Sequence, residues 1–488
     1  MRKAVTMPPS AGSKSAVLAI IMASYLMIVI DISIVLTGLP RIQAALGFST
    51  ATLSWVQNAY TLAFGGFLLL GARAGDIWGR KRMFMLGLAI FTLASVAIGA
   101  AQSPAWMLAC RAIQGVGAAV LAPSTLALIS THFAEGAERN RALSWYAAAA
   151  GIGATVGLVL GGVLADLISW RAGFFINLPI GLLLIAAAHK VIQESPGQGG
   201  RMDVAGALSA TLGMGALVFG IVEAAESGWG SVWTDLSLAI GIVLLVLFLW
   251  HQARAAQPLL PLRLFANTSR NAAYATRLLF LAGMVGFWFF TAQYLQRVLG
   301  MSPMLAGLAF VPVTVPQFVS SISVPSAIRS FGQRAVLITG LALCIVGLLW
   351  AGLSASLMSY WVGIVGPMVL IGLGQGWVLA PLTMAAVSGV ETQDAGAASG
   401  LLNVAHQLGA SLGLAVLVVV FASSSAGTTE SVAQIAHGTG ATLETSALMV
   451  FGALLLAVRF LFREGLPASP IPNQKRKSFA HLPEGDTP

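Results

Sequence analysis

The chain has 488 residues, 57% of them hydrophobic and only 9% charged, against roughly 45–50% and about 25% in soluble domains. A soluble fold with so few charges would expose far more apolar surface than water tolerates, so the composition excludes an ordinary water-soluble enzyme and points to lipid as the solvent. The net charge of +9 is not a nucleic-acid footprint, because Lys and Arg fall in short groups between apolar runs instead of on one face or tail.

In chain order, the basic segment "MRKAVTMPPSAGSKS" precedes an apolar run with no small-residue cleavage site, which reads as an uncleaved first span. Runs suited to crossing a bilayer, ~20 residues each, lie near 17–37, 52–71, 83–101, 105–130, 143–165, 172–191, 204–223, 235–252, 272–294, 303–325, 335–353, 360–384, 397–421 and 444–462. The expectation is an all-α polytopic membrane protein with about fourteen transmembrane helices. Cys110 and Cys344 sit in separate apolar runs, with no disulfide or zinc spacing. Basic residues alternate between loops: Arg2, Lys3, Lys14, Arg73, Arg80, Lys81, Arg82, Arg139, Arg141, Arg201 and Lys475 to Lys477 by way of Arg476 fall on one side, Arg41, Arg171 and Arg297 on the other. The positive-inside rule then puts both termini in the cytoplasm. Loops are short; the longest are 422–443, expected outside, and the Pro-rich basic tail after 463, expected to be disordered.

Within the spans ionisable groups are few: Asp31, Arg111, Arg277, His406 and Glu223. Each is costly in hydrocarbon and needs a partner or a watery cavity. Asp31, in "LMIVIDISIVLTGLP", is either a locally hydrogen-bonded carboxylate or a proton carrier exposed alternately to two compartments. Arg111 opens "RAIQGVGAAVLAPS"; it cannot deprotonate, so it pairs with an acid such as Asp31 or snorkels to the headgroups. In "GIGATVGLVLGGVLAD", Gly153, Gly157 and Gly161 recur at i, i+4, i+8 beside Gly162, which is a helix-packing seam. The turn "GARAGDIWGRKR" embeds Asp76 among Arg73, Arg80, Lys81 and Arg82, a charge network suited to forming in one conformation and breaking in another.

At these residues the chain resembles the major facilitator superfamily, in particular its fourteen-span drug:proton antiporter branch of the QacA/EmrB type. "DISIVLTGLP" is similar to that branch's first-span signature, "GARAGDIWGRKR" to its loop motif, "RAIQGVGAA" to its fourth-span motif and "GIGATVGLVLGG" to its antiporter motif. "WRAGFFINLPIG", "YLQRVLGMSPMLAGLAFVP" and "DAGAASGLLNVAHQLGASLG" resemble stretches more particular to the branch. The resemblance implies a cytoplasmic segment 1–16, a six-helix bundle over 17–191, two additional helices over 204–252, a second six-helix bundle over 272–462 and a tail over 463–488. It implies alternating access by rocking of the bundles. Asp76, Gly79, Arg80 and Lys81 would form a conformational latch against the bundle carrying 397–421, and Arg111 would be linked to proton coupling. The sequence departs from the pattern at Leu36, where the signature has Asn, at Ala72, where the loop motif begins with Gly, and at Leu158, where the antiporter motif has Pro. Loss of that proline removes a helix kink.

For a substrate cavity, "FLAGMVGFWFFTAQYLQ" offers Phe287, Gln293 and Tyr294, and "SGLLNVAHQLG" sets Ser399, Asn403, His406 and Gln407 on one polar stripe. His406 titrates near neutral pH when hydrated and joins Asp31 and Arg111 as a proton-coupling candidate. The expected function is proton-driven efflux of lipophilic or amphipathic small molecules across the cell membrane by a monomer, with no cofactor beyond the proton gradient. An importer or exporter of one metabolite on the same fold is the competing reading. No HExxH, Walker loop, GxSxG elbow or paired metal-ligand spacing occurs, so no enzyme is expected.

Overall fold

The structure is a computed structural model that describes residues 11–134, 136–194, 197, 202–255, 257–390, 395–424 and 431–461. Every regular element among them is helical: α1 (Ala11–Leu46), α2 (Trp55–Trp78), α3 (Arg80–Gly99), α4 (Pro104–His132), α5 (Ala137–Leu167), the short α6 (Ala172–Phe175), α7 (Asn177–Val191), α8 (Val204–Ser227), α9 (Val232–Arg254), α10 (Thr268–Arg297), the short α11 (Pro303–Leu308), α12 (Val311–Ser354), α13 (Gly366–Val387), α14 (Ala395–Ser424) and α15 (Val432–Leu456). The tail, the first ten residues and Asp394 lie outside the described residues.

Local chemistry sets the boundaries. Gly79 at φ 100° separates α2 from α3 with no loop between them, a backbone state that side-chain-bearing residues rarely adopt. Ser103 accepts the Trp106 N–H at the start of α4, with Pro104 at the first helical position. Asn267 caps α10 through the Arg270 N–H at 2.8 Å.

Twelve helices among the described residues are long and apolar enough to cross a membrane, where about fourteen were expected. The stretch Pro303–Leu357 is one of the twelve, yet Gly332, at φ 81° and ψ 155°, breaks α12 into two arms. α2 is not among them; its 24 residues include Gln57, Asn58, Arg73 and Asp76, which dilute its apolar character. The expected external loop 422–443 needs correction. α14 runs on to Ser424 and α15 begins at Val432, behind a reciprocal cap in which Ser431 and Gln434 each take the other's backbone N–H. The small residues that read as a loop allow close packing: a Cβ on Gly352 of α12 would come within 3.0 Å of Gly440 O.

α8 and α9 form a hairpin whose outer faces are largely exposed, as lipid-facing helices are. Its closing clamp is Asp203, which accepts the Gly206 N–H and His251 Nε2–H at 2.8 Å each and Gln252 Nε2–H at 2.6 Å. Partial burial pushes the Asp203 carboxyl up, but these bonds outweigh it and hold the carboxyl below its ordinary value. The stabilisation is therefore complete above the ordinary carboxylate pKa and is lost as pH falls through the lowered one. Asp203→Ala is expected to cost about 0.5–2 kcal/mol through the lost cap, read as faster proteolysis at the hairpin's open end.

Candidate functional site

The seam predicted in α5 packs on α1 and brackets Asp31. Added Cβ atoms would meet Leu26 and Val29 at Gly153, Ile30 and Ser33 at Gly157, and Ile34 and Thr37 at Gly161. At Gly157 the nearest atoms are Ser33 Cβ at 2.7 Å and Ile30 Cα at 3.0 Å, with no room to give because one is backbone. Gly157→Ala is expected to lower stability by about 1–3 kcal/mol, whereas Gly215→Ala, with nothing within 4 Å, should leave the melting temperature unchanged or slightly raised. Gly162 points elsewhere, against the Pro303 carbonyl of α11, and Gly307 of α11 meets the Leu158 carbonyl. Leu158, in the motif's proline position, is itself 2% exposed and packs in a cluster that includes Phe310. At the same end of the bundle Gln296 Nε2 donates to Thr37 O at 3.0 Å.

Asp31 and Arg111 are brought together, both essentially unexposed. Arg111 Nη1 donates to Asp31 Oδ2 at 2.9 Å, and Arg111 Nε to the Val56 carbonyl at 3.0 Å. The guanidinium lies over the Tyr60 ring, 4.4 Å from its centre. Asp31 Oδ1 accepts from Gln114 Nε2 at 2.8 Å and Asn177 Nδ2 at 3.0 Å, and both amides also reach Ser95 Oγ. Gln114 Oε1 in turn takes Arg111 Nη1 at 2.6 Å. This network ties α1, α2, α3, α4 and α7 at one point. Arg111 and Gln114 share a face because they are three apart on α4, and Gly115 and Gly117 let α2 and α3 approach: a Cβ there would meet Ala63 at 3.0 Å and Phe91 N at 2.7 Å. Gln114, Asn177 and Ser95 were missed by a search for ionisable groups. The available signal was an amide inside an apolar run, since a buried amide needs partners as a charge does.

A bare proton on Asp31 would turn an acceptor oxygen into a donor facing other donors, because Arg, and the amide nitrogens of Gln and Asn, only donate. Protonation at Oδ2 therefore competes directly with Arg111. Arg111 Nη2 and the Tyr60 hydroxyl are buried with no hydrogen-bond partner, so the network has unused donors within it.

His406 is not part of this network. Its Nδ1 meets Arg277 Nη2 at 3.0 Å, between α14 and α10. In the loop motif, Arg80 Nη2 donates to Asp76 Oδ1 at 3.3 Å and Arg80 Nη1 to the Ala127 carbonyl at 3.0 Å. Lys81 Nζ bonds the His189 carbonyl at 2.8 Å, while Glu194 accepts the Lys81 and Arg82 N–H groups. Asp76 thus holds α3's first turn, and it also lines a cavity of about 850 Å³ together with Gly396 and Ala397 of α14.

The residues expected to line a substrate cavity are not gathered on one wall. Phe287 and Tyr294 are each 1% exposed; Phe287 packs edge-on to Trp288 and Phe310, and the Tyr294 hydroxyl bonds the Ala355 carbonyl at 2.7 Å. Gln293 is buried on the same helix. Gln407 packs its stem on Gly65 of α2, and Asn403 is exposed, with Nδ2 on the Ser399 carbonyl. Four consecutive aromatics point all round α10, so most of them serve helix packing.

Residues 21–414 match the family model of the Major Facilitator Superfamily. The chain belongs to that superfamily. A major facilitator protein is a transporter, so this chain is not an enzyme, and its many apolar helices make it a multi-pass membrane protein. Similar proteins include the cephamycin export protein CmcT of Amycolatopsis lactamdurans, 41% identical over 85% of this chain and 87% of that protein. The puromycin resistance protein pur8 of Streptomyces alboniger is 37% identical over 84% and 82%. In fold the chain is similar to a bacterial homolog of the human lysosomal transporter Spinster in an inward-facing, occupied conformation, with TM-score 0.67, 16% identity and coverage of 92% of this chain and 97% of that one.

Proposed function

We propose that this major facilitator protein is a proton-coupled exporter of lipophilic or amphipathic antibiotics, of the fourteen-span drug:proton antiporter branch. The observation that carries the reading is the buried Asp31–Arg111 pair, a titratable acid at the centre of a network that joins five helices of one half of the transporter. The names of its relatives, which export cephamycin or confer puromycin resistance, support the substrate class. Counting α2 and both arms of α12 with the other long helices gives fourteen spans. They divide into a bundle over 17–191, the α8–α9 hairpin over 204–252 and a bundle over 272–462, in a monomer with both termini in the cytoplasm of the cell.

In this reading a proton reaching Asp31 displaces Arg111, loosens α1 against α4 and lets the halves rock. The Gly162–Pro303 and Gly307–Leu158 contacts between α5 and α11 close the outer end. Asp76, Gly79, Arg80 and Lys81 serve as the latch, and Asp76 exchanges Arg80 for α14 when the 850 Å³ cavity closes. One proton entering down a membrane potential supplies about 2.3 kcal/mol per 100 mV, enough to concentrate a substrate substantially. Energised inverted vesicles carrying the protein should accumulate puromycin, and a protonophore should abolish this. Accumulation by intact cells instead would identify an importer.

A further inference from the structure

Two of the buried arginines among the described residues, Arg111 and Arg277, are treated differently by their surroundings. Arg111 faces a carboxylate at 2.9 Å. Arg277, on α10 and only 7% exposed, forms no ion pair with any Asp or Glu among the described residues. Its hydrogen bonds are to His406 Nδ1 at 3.0 Å and the Leu379 carbonyl at 3.4 Å, and its Nε is buried without a partner. Because a guanidinium only donates, His406 Nδ1 must be the acceptor, so the imidazole carries its proton on Nε2 and is neutral. Neither partner compensates the charge. A cation left so in apolar surroundings is costly unless an anion joins it.

α10, which carries Arg277, packs against α1 of the other half of the protein. Tyr25 of α1 lies within electrostatic reach of the guanidinium and stacks on Tyr146 of α5, with ring centres 4.0 Å apart and planes at 15°. The Tyr146 hydroxyl is held by Thr125 at 3.0 Å. Tyr25 is half-buried, so part of its surface stays accessible. A cation with a free N–H on one half and a tyrosine stack on the other match a ligand with an anionic head and an aromatic body.

We propose that Arg277, oriented by His406, binds the anionic group of an organic acid whose aromatic body rests against Tyr25 and Tyr146, so that this transporter accepts amphiphilic anions. The proposal rests on the efflux reading, and its test separates the two. Purified protein in zwitterionic-lipid nanodiscs is titrated with naphthaleneacetate and with its methyl ester, following the ligand-induced rise in melting temperature. The acid should bind the wild type at least about tenfold more tightly than the ester, and Arg277→Gln should remove that preference, as expected for loss of a charge-assisted bond. Arg277→Lys should restore part of it. Equal binding of acid and ester by the wild type, or an unchanged preference in Arg277→Gln, overturns the proposal. Nanodiscs containing phosphatidylglycerol form a second arm: if that lipid competes the acid away, the occupant is a lipid headgroup and the substrate assignment fails. Acid-selective binding without accumulation in energised inverted vesicles would instead sink the efflux reading and leave the anion site standing.

Discussion

Asp31→Asn will abolish substrate-driven proton movement in reconstituted vesicles while leaving the protein folded. The side chain is isosteric, and its single oxygen can keep the Gln114 and Asn177 bonds that converge on Oδ1. The position facing Arg111 Nη1 becomes an NH₂ group, so donor meets donor where a charge-assisted bond of 2.9 Å stood. The stability cost should be about 1.5–3 kcal/mol, the scale of a hydrogen bond to a charged group. The functional cost should be complete, because an amide does not take up a proton at physiological pH. A pH-sensitive dye inside the vesicles reads the flux, and Asp31→Glu, which keeps an ionisable group, should retain a fraction of it. Wild-type flux in Asp31→Asn would remove Asp31 from the proton path.

Arg111→Met should destabilise the protein by about 3–5 kcal/mol, because it leaves a buried carboxylate without its cation. The Val56 carbonyl and Gln114 Oε1 also lose a donor, and Tyr60 its cation. The double variant Asp31→Asn/Arg111→Met should recover a large part of that loss, since removing both charges of a buried pair costs far less than removing one. It should remain without proton flux. Melting temperatures in detergent across the four proteins of this cycle measure the coupling. If the single Arg111 variant melts with the wild type, the pair is not the clamp that holds α1 to α4.

The spacing of apolar runs reveals most of the helices because in lipid each span must satisfy its own backbone and present apolar side chains, a requirement met locally along the chain. The boundary errors have local causes too. Thr268, Arg270 and Asn271 belong to α10 although they are polar, because a helix continues beyond hydrocarbon as long as its hydrogen bonds do. Residues 432–443 read as a loop because Ser, Thr and Gly are both loop formers and the small residues that close helix contacts require. At the site, Asp31 and Arg111 were legible because an isolated charge in an apolar run has few explanations. Gln114, Asn177 and Ser95 were not, because a neutral amide or hydroxyl is affordable in many places.

The sequence alone determined that this is a helical membrane protein, that the glycine row of α5 is a packing face and that one acid and one arginine needed partners. Those properties follow from composition and periodicity within a single helix. Only the tertiary structure decided which partners they found. It set the seam against α1, joined Asp31 to Arg111 through Gln114 and Asn177, and withdrew Phe287 and Tyr294 into packing. It also moved His406 from the Asp31 network to Arg277 and, among the described residues, left that arginine without a carboxylate. These outcomes depend on the rotation and register of helices far apart in the chain, and no one helix encodes the rotation of its neighbour.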